Sequence, residues 1–160
     1  VSREPAWLSA ALASAIHGQL VGVHGGATHT PDAARLEAAL ARPRKRHADA
    51  GASERPEVLR LAAAHAFGIA RDRPLPEGNE RLALTLAGVF LELNGWRLEA
   101  TEADAAGVTR ALAAGELDEG GYALWLEEAC VPRDLAASRR PPPIAHPHRR
   151  RPGRGRAPLC

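Results

Sequence analysis

The stretch AAAHAFGIARDRPLPEGNERLALTLAGVFLELNG, residues 62–95, decides how this chain is read. Two Ala- and Leu-rich runs flank the decapeptide DRPLPEGNER (72–81). Both runs are apolar almost all round, which predicts two helices in the middle of a domain, with the joint between them held on a rigid scaffold. Pro74 and Pro76 restrict the backbone and disfavour helix before them, while Gly78 permits a conformation closed to other residues. The helix carrying Arg81 begins immediately afterwards, so its free amides and the positive end of its dipole point at the loop, an arrangement suited to an anion. Asn79 offers an amide donor, Arg81 a bidentate cation for phosphate oxygens, and Glu77 a hard oxygen ligand for Mg2+ bridging phosphates. The same residues also read as a plain loop and helix cap, with Glu77 facing the dipole and Arg81 paired with Glu77 or Glu80.

Outward from this joint, three- and four-residue apolar spacing predicts an all-α, compact bundle of about six helices. A first helix is expected from about Pro5 to Leu20, with Trp7, Leu8, Ala11, Leu12, Ala15 and Ile16 on one stripe, broken by Gly25-Gly26. Thr30-Pro31-Asp32 opens a second helix: Thr30 caps, Pro31 takes the first helical position, and Asp32 favours the positive dipole end. That helix is expected to run to Arg42-Pro43, and the polar segment RKRHADAGASER (44–55) to be a mobile loop. The third helix starts at Pro56. The fourth, RLALTLAGVFLELNG (81–95), ends at Asn94-Gly95. Residues 102–114 and about 116–129 supply two more, the last with Tyr122, Trp125 and Leu126 facing inward. No strand is predicted.

Composition bounds what such a bundle does. With 160 residues, 45% of them hydrophobic, the chain buries a sizeable core and is most simply one domain. Only two cysteines occur, Cys130 and Cys160, so neither a disulfide framework nor a paired metal-ligand motif is in view. No apolar run approaches the roughly twenty residues that span a bilayer, and the N-terminal stretch lacks a basic-then-apolar signal pattern. The expectation is a reduced cytoplasmic protein without membrane contact. The chain holds no Met and opens on Val1, which fits a fragment or a non-standard start.

The formal charge of +2 hides an asymmetry. From Arg133 onward there are eight Arg and one acid, leaving 13 basic and 18 acidic residues in 1–132. The domain is therefore expected over 1–132, followed by a basic, Pro/Arg-rich disordered tail over 133–160, because RRPPPIAHPHRRRPGRGRAPLC (139–160) has no helical apolar period and cannot offset its chain entropy. Such a tail reads either as a solvated extension or as a nucleic-acid contact made through counterion release. His146 and His148 lie within it.

Residues 62–100, AAAHAFGIARDRPLPEGNERLALTLAGVFLELNGWRLEA, resemble the signature region of the Fic/Doc superfamily, and more closely its death-on-curing (Doc) toxin branch. There a buried helix is followed by His-Pro-Phe-x-Asp-Gly-Asn-Lys-Arg and an apolar helix ending in Phe-Leu-x-x-Asn-Gly. The resemblance extends to Ile16-His17, Gly25-Gly26, DAARLEAALARP (32–43) and LAAGELDEGGYALWL (112–126), in the expected order over roughly residues 6–130. It implies phosphoryl transfer, as in Doc proteins, or nucleotidyl transfer, as in most Fic proteins. It further implies ATP or another nucleotide with Mg2+, a translation factor as target, and an antitoxin covering the groove.

Against that pattern the motif is altered. Arg73 stands in the place of the motif His, Leu75 replaces Phe, Glu77 replaces Asp and Glu80 replaces Lys, while Pro74, Gly78, Asn79 and Arg81 match. The resemblance thus implies catalysis at the Arg73 position, phosphate or nucleotide binding by Gly78, Asn79 and Arg81, and metal binding by Glu77. In the family the motif His acts on the target's hydroxyl. A guanidinium has no free lone pair to take that proton, so Arg73 is not a competent base. Pro31 also stands where the branch usually carries an Arg in a flap-like segment.

Three functional expectations follow. The first is a degenerate Doc-type toxin, weakly active or inactive. The second is an active Doc-like kinase with a substitute base or none, and the third a non-catalytic interaction module whose Arg tail binds nucleic acid. Among the remaining histidines, His65 reads as a core residue of the third helix and His17 as structural at a recurrent family position. His24, His29 and His47 fall in predicted loops, His29 near the flap. None has the spacing of a zinc ligand.

Overall fold

A computed structural model describes residues 4–26, 29–50 and 56–134. The described chain runs α1 (Ala10–His24), α2 (Ala33–Asp49), α3 (Glu57–Asp72), α4 (Asn79–Leu93), β1 (Trp96–Leu98), α5 (Glu102–Ala114), α6 (Glu119–Ala129) and β2 (Cys130–Pro132). It is an all-α bundle of six helices with one small two-stranded sheet.

α3 is the axis of the bundle. Ten of its sixteen residues are buried, from Leu59 to Ala70, and it packs against α2, α4, α5 and α6. Its run of alanines allows neighbours on several sides to approach closely. At Gly68 the approach is closest: a Cβ there would lie 2.9 Å from the Ala39 carbonyl oxygen of α2. α4 lies against α3 and contributes Leu82, Leu86, Phe90 and Leu91 to the core. Each such side chain contributes about 1.5–3 kcal/mol on burial. These two helices are the pair expected from the sequence, and the decapeptide joins them.

The N-terminal boundary differs from the expected one. Residues 4–9 are not helical, because Ser9 caps α1, its Oγ accepting from the Leu12 amide at 3.1 Å. The segment before it is pinned to the end of α4, where Ala6 N–H donates to Asn94 Oδ1 at 2.8 Å and Asn94 Nδ2 donates to the Ala6 carbonyl at 3.0 Å. Leu8 is buried from this non-helical position. The expected stripe therefore does not form: Ala11, Leu12 and Ala15 face outward, and only Ala13 and His17 of α1 are buried.

α2 is capped by Asp32 rather than Thr30. Its carboxylate accepts from the Arg35 amide at 3.0 Å, and its own N–H donates to the Pro74 carbonyl at 2.8 Å, which holds it in an extended conformation. The helix continues through Pro43 to Asp49, so residues 44–49 of the expected loop are helical. Partners on other elements hold this extra length: Arg44 lies over the Trp7 ring, Arg46 pairs with Glu119, and His47 pairs with Glu57. Residues 51–55 lie outside the described part.

The expectation of no strand is also corrected. β1 and β2 pair antiparallel, with Trp96 opposite Pro132 and Leu98 opposite Cys130. Three-residue strands are too short to show a two-residue period, and their partners lie far apart in sequence. The expected tail falls almost entirely outside the described residues, as do His146 and His148. Among the described residues no helix is long and apolar enough to cross a membrane.

Candidate functional site

The joint between α3 and α4 is built by three sets of contacts. α3 ends at Arg73, which adopts the left-handed conformation (φ 48°, ψ 67°) and donates its N–H to the Ile69 carbonyl at 3.1 Å. Among the described residues it is the one non-glycine with positive φ. α2 braces the turn from outside, where Arg35 Nη1 donates to the Arg73 carbonyl at 3.4 Å and Asp32 N–H to the Pro74 carbonyl. Arg42 forks onto both carboxylate oxygens of Asp72, at 3.1 and 3.3 Å. Pro74 and Leu75 are buried, so they anchor the loop against the core.

Asn79 closes the turn from within. Leu75 N–H donates to its Oδ1 at 3.0 Å and its Nδ2 donates to the Leu75 carbonyl at 2.8 Å, and the side chain is buried. This amide, expected to face an anion, instead satisfies the loop's own backbone. Gly78, at φ 83°, is the N-cap of α4 and supplies no side-chain cap, so the first amides of that helix keep their hydrogen-bonding capacity.

The opening beside these amides is a groove of about 540 Å³. From the decapeptide Arg73, Glu77, Gly78 and Arg81 line it, with Asn79 and Glu80. The opposite wall is α1, through His17, Leu20, Val21 and His24. Arg73, Glu77, Glu80 and Arg81 are exposed. Among the described residues Arg81 forms no ion pair with Glu77 or Glu80, so the paired version of the plain-cap reading is not what the fold adopts. The groove has the size of a small-ligand site, and it brings the expected residues together around one helix N-terminus.

The histidines separate into distinct environments. His65 is buried, with its Nδ1 donating to the Leu61 carbonyl at 2.8 Å and its ring 4.4 Å from that of Phe90. Burial pushes its pKa down to about 4, against the opposing effect of the Leu61 bond. It is the core residue expected and is not among the residues that line the groove. His47 sits on α2 between Glu57 (2.5 Å) and Glu4 (3.1 Å). The bond to Glu57, followed by the bond to Glu4 and the charges of both carboxylates, raises its pKa despite partial burial. His24 is exposed on the groove wall, whereas His17 is 8% exposed and its Nε2 is buried without a hydrogen-bond partner. In the sequence His17 reads as structural; nothing in its flanking residues signals that α1 forms a groove wall, because that depends on how α1 meets α4.

Among the described residues no three His, Cys, Asp or Glu side chains gather as a metal site. Glu77 and Glu80 are the carboxylates at the groove, and so few acidic groups suit a cation that takes most of its ligands from phosphates and water rather than from a protein cage. The Cys130 thiol is buried, and that burial pushes its pKa up to about 12, away from nucleophilic use.

No curated protein matches the chain. A model of the Fic/DOC family matches residues 7–91, more than half of it, and the matched region takes in α1, α2, α3, the decapeptide and most of α4. With the six-helix fold and the turn at the α4 N-terminus already described, this match shows that the chain belongs to the Fic/DOC family.

Proposed function

We propose that this Fic/DOC protein is a degenerate relative of the Doc-type toxins of toxin-antitoxin systems. It keeps a phosphate-binding groove and lacks the motif base, so transfer is weak or absent. One observation carries the reading: the α4 N-terminus opens without a side-chain cap into a groove flanked by Arg73 and Arg81. Backbone amides and the dipole end favour the phosphates of ATP or a similar nucleotide. Gly78 lets the backbone turn into the helix, and Arg81 provides the cation. Asn79 contributes by holding the loop in shape. Glu77 would hold Mg2+, which would neutralise phosphate charge there.

The missing element is the proton acceptor. In transfer, an acceptor hydroxyl oxygen bonds to phosphorus, the bond from phosphorus to the leaving oxygen breaks, and the hydroxyl proton must go elsewhere. Arg73 occupies the lip of the groove where the family motif has His, and a guanidinium does not take that proton. General-base help is worth about 10²–10⁴-fold, while positioning and electrostatics carry much of phosphoryl transfer. Residual activity is thus expected to be small rather than nil. On this reading the partners are a translation factor that presents the hydroxyl and an antitoxin that covers the groove, in the cytoplasm.

Titration of the protein with Mg-ATP, followed through the backbone amides of Glu80 and Arg81, tests the reading. Saturable shifts at these amides, weakened in Arg81→Ala, are the expected result. Their absence, with the fold intact, would overturn it.

A further inference from the structure

Resting on the reading of the groove as a phosphate site, we propose that His17 is a ligand-binding residue of that site. Its imidazole hydrogen-bonds an oxygen of the phosphate group seated at the α4 N-terminus. The role is separate from the residues of the decapeptide and comes from the facing wall.

The first ground is the unsatisfied nitrogen. His17 Nε2 is covered by surrounding atoms and meets no hydrogen-bond partner, a condition that buried polar groups rarely tolerate without a reason. The fold contains a direct comparison. His65, the other buried imidazole among the described residues, donates to the Leu61 carbonyl and packs on Phe90. That is how a purely structural histidine is accommodated here, and His17 is not accommodated in that way.

The second ground is position. His17 lines the same groove as Gly78 and Arg81, across from the uncapped amides of α4. Only Ala13 accompanies it among the buried residues of α1, so an apolar residue would serve core packing better at lower desolvation cost. A phosphate oxygen in the groove supplies the missing partner. It reaches the ring nitrogen through a turn about the soft, roughly twofold χ2 torsion. Val23, on the same helix but exposed and outside the groove lining, serves as the control.

The test uses the full chain carrying 15N-labelled histidine, titrated with Mg-ATP and, separately, with inorganic phosphate. The His17 ring nitrogens and the amides of Glu80 and Arg81 are followed together. Both sets are expected to move and to saturate at the same ligand concentration. His17→Phe, which fills the space without a nitrogen, should weaken binding about tenfold, the effect of one hydrogen bond to a charged group. Val23→Ala should leave affinity within twofold. Response to both probes assigns His17 to a phosphate of the nucleotide. Response to inorganic phosphate alone keeps the His17 contact and removes the nucleotide. If the α4 amides titrate while the His17 ring signals stay still, the inference is overturned and the proposed function stands. If the amides do not respond to either probe, both fall. Should His17→Phe not fold, the ring signals of the unsubstituted protein still decide.

Discussion

Asn79 and Leu75 hold each other by a reciprocal amide pair, with Leu75 N–H on Asn79 Oδ1 at 3.0 Å and Asn79 Nδ2 on the Leu75 carbonyl at 2.8 Å. The pair ties the first residue of α4 to the middle of the preceding loop, so the shape of the turn at the α4 N-terminus depends on a side chain engaged with the loop's own backbone. Asn79→Ala strands both Leu75 backbone groups in a buried place, at a cost of about 1–3 kcal/mol. Urea unfolding should show that loss, and hydrogen exchange at the Leu75 amide should accelerate beyond the change in global stability. Unchanged exchange at Leu75 would refute the clamp.

Arg73 holds a conformation that Arg adopts at some cost. At φ 48° a left-handed L-residue is strained, whereas His is among the residues enriched there. Arg73→His should therefore fold as well as the natural chain. It should also raise ATP-dependent labelling of a translation-factor acceptor by about 10²–10⁴-fold. Equal labelling by the two proteins would refute the argument from the missing base, and silence from both would mean that more than the base has been lost.

Two helical glycines should respond oppositely to Ala. At Gly68 the new Cβ meets the Ala39 carbonyl oxygen at 2.9 Å, and overpacking against backbone costs about 1–3 kcal/mol. At Gly88, within α4, nothing lies within 4 Å of the new atom, and the gain in helix propensity is about 0.5–1 kcal/mol. Paired thermal melts of Gly68→Ala and Gly88→Ala check both signs; a neutral Gly68→Ala would mean that α2 and α3 separate easily.

Two histidines give opposite pH dependences. For His47 the folded pKa is raised, chiefly by its bond to Glu57. Its stabilisation is present below the unfolded value near 6.5 and is lost as pH rises through the folded one. The carboxylates set the lower edge: Glu4, lowered chiefly by the Trp7 bond, contributes above its unfolded value and loses that contribution as pH falls. The difference in melting temperature between the natural chain and His47→Gln should be largest at about pH 5–6.5 and should shrink towards pH 8.

His65 behaves in the reverse sense. Its pKa falls from 6.5 to about 4 on folding because it is buried, so stability is lost as pH drops from the unfolded towards the folded value. The full loss is on the order of 3 kcal/mol. His65→Leu should flatten this acid limb in urea titrations between pH 7 and 4. An acid limb as steep as that of the natural chain would place the sensitivity elsewhere.

The central helices were legible because their signal is local. An Ala- and Leu-rich run that is apolar all round has few places to go except the middle of a bundle, and PLPEGN between two such runs has few conformations except a turn into a helix N-terminus. The family resemblance lay in the same residues, and the match over residues 7–91 agrees with it at the level of the family. The end of α2 misled because Pro43 and the charges after it look like a helix stop and a loop. Those charges find Trp7, Glu57 and Glu119 on other elements, which no local pattern displays.

The sequence by itself determined the helical class and the α3–turn–α4 unit, since each is written in contiguous residues. Only the tertiary structure decided what those residues do. It turned Asn79 inward as a clamp, set Arg73 in a left-handed cap braced by Arg35, and brought His17 of α1 to the far side of the groove. Side-chain direction and the meeting of segments some sixty residues apart follow from the packing of α1 and α2 around α3 and α4, and packing is a property of the assembled bundle rather than of any stretch within it.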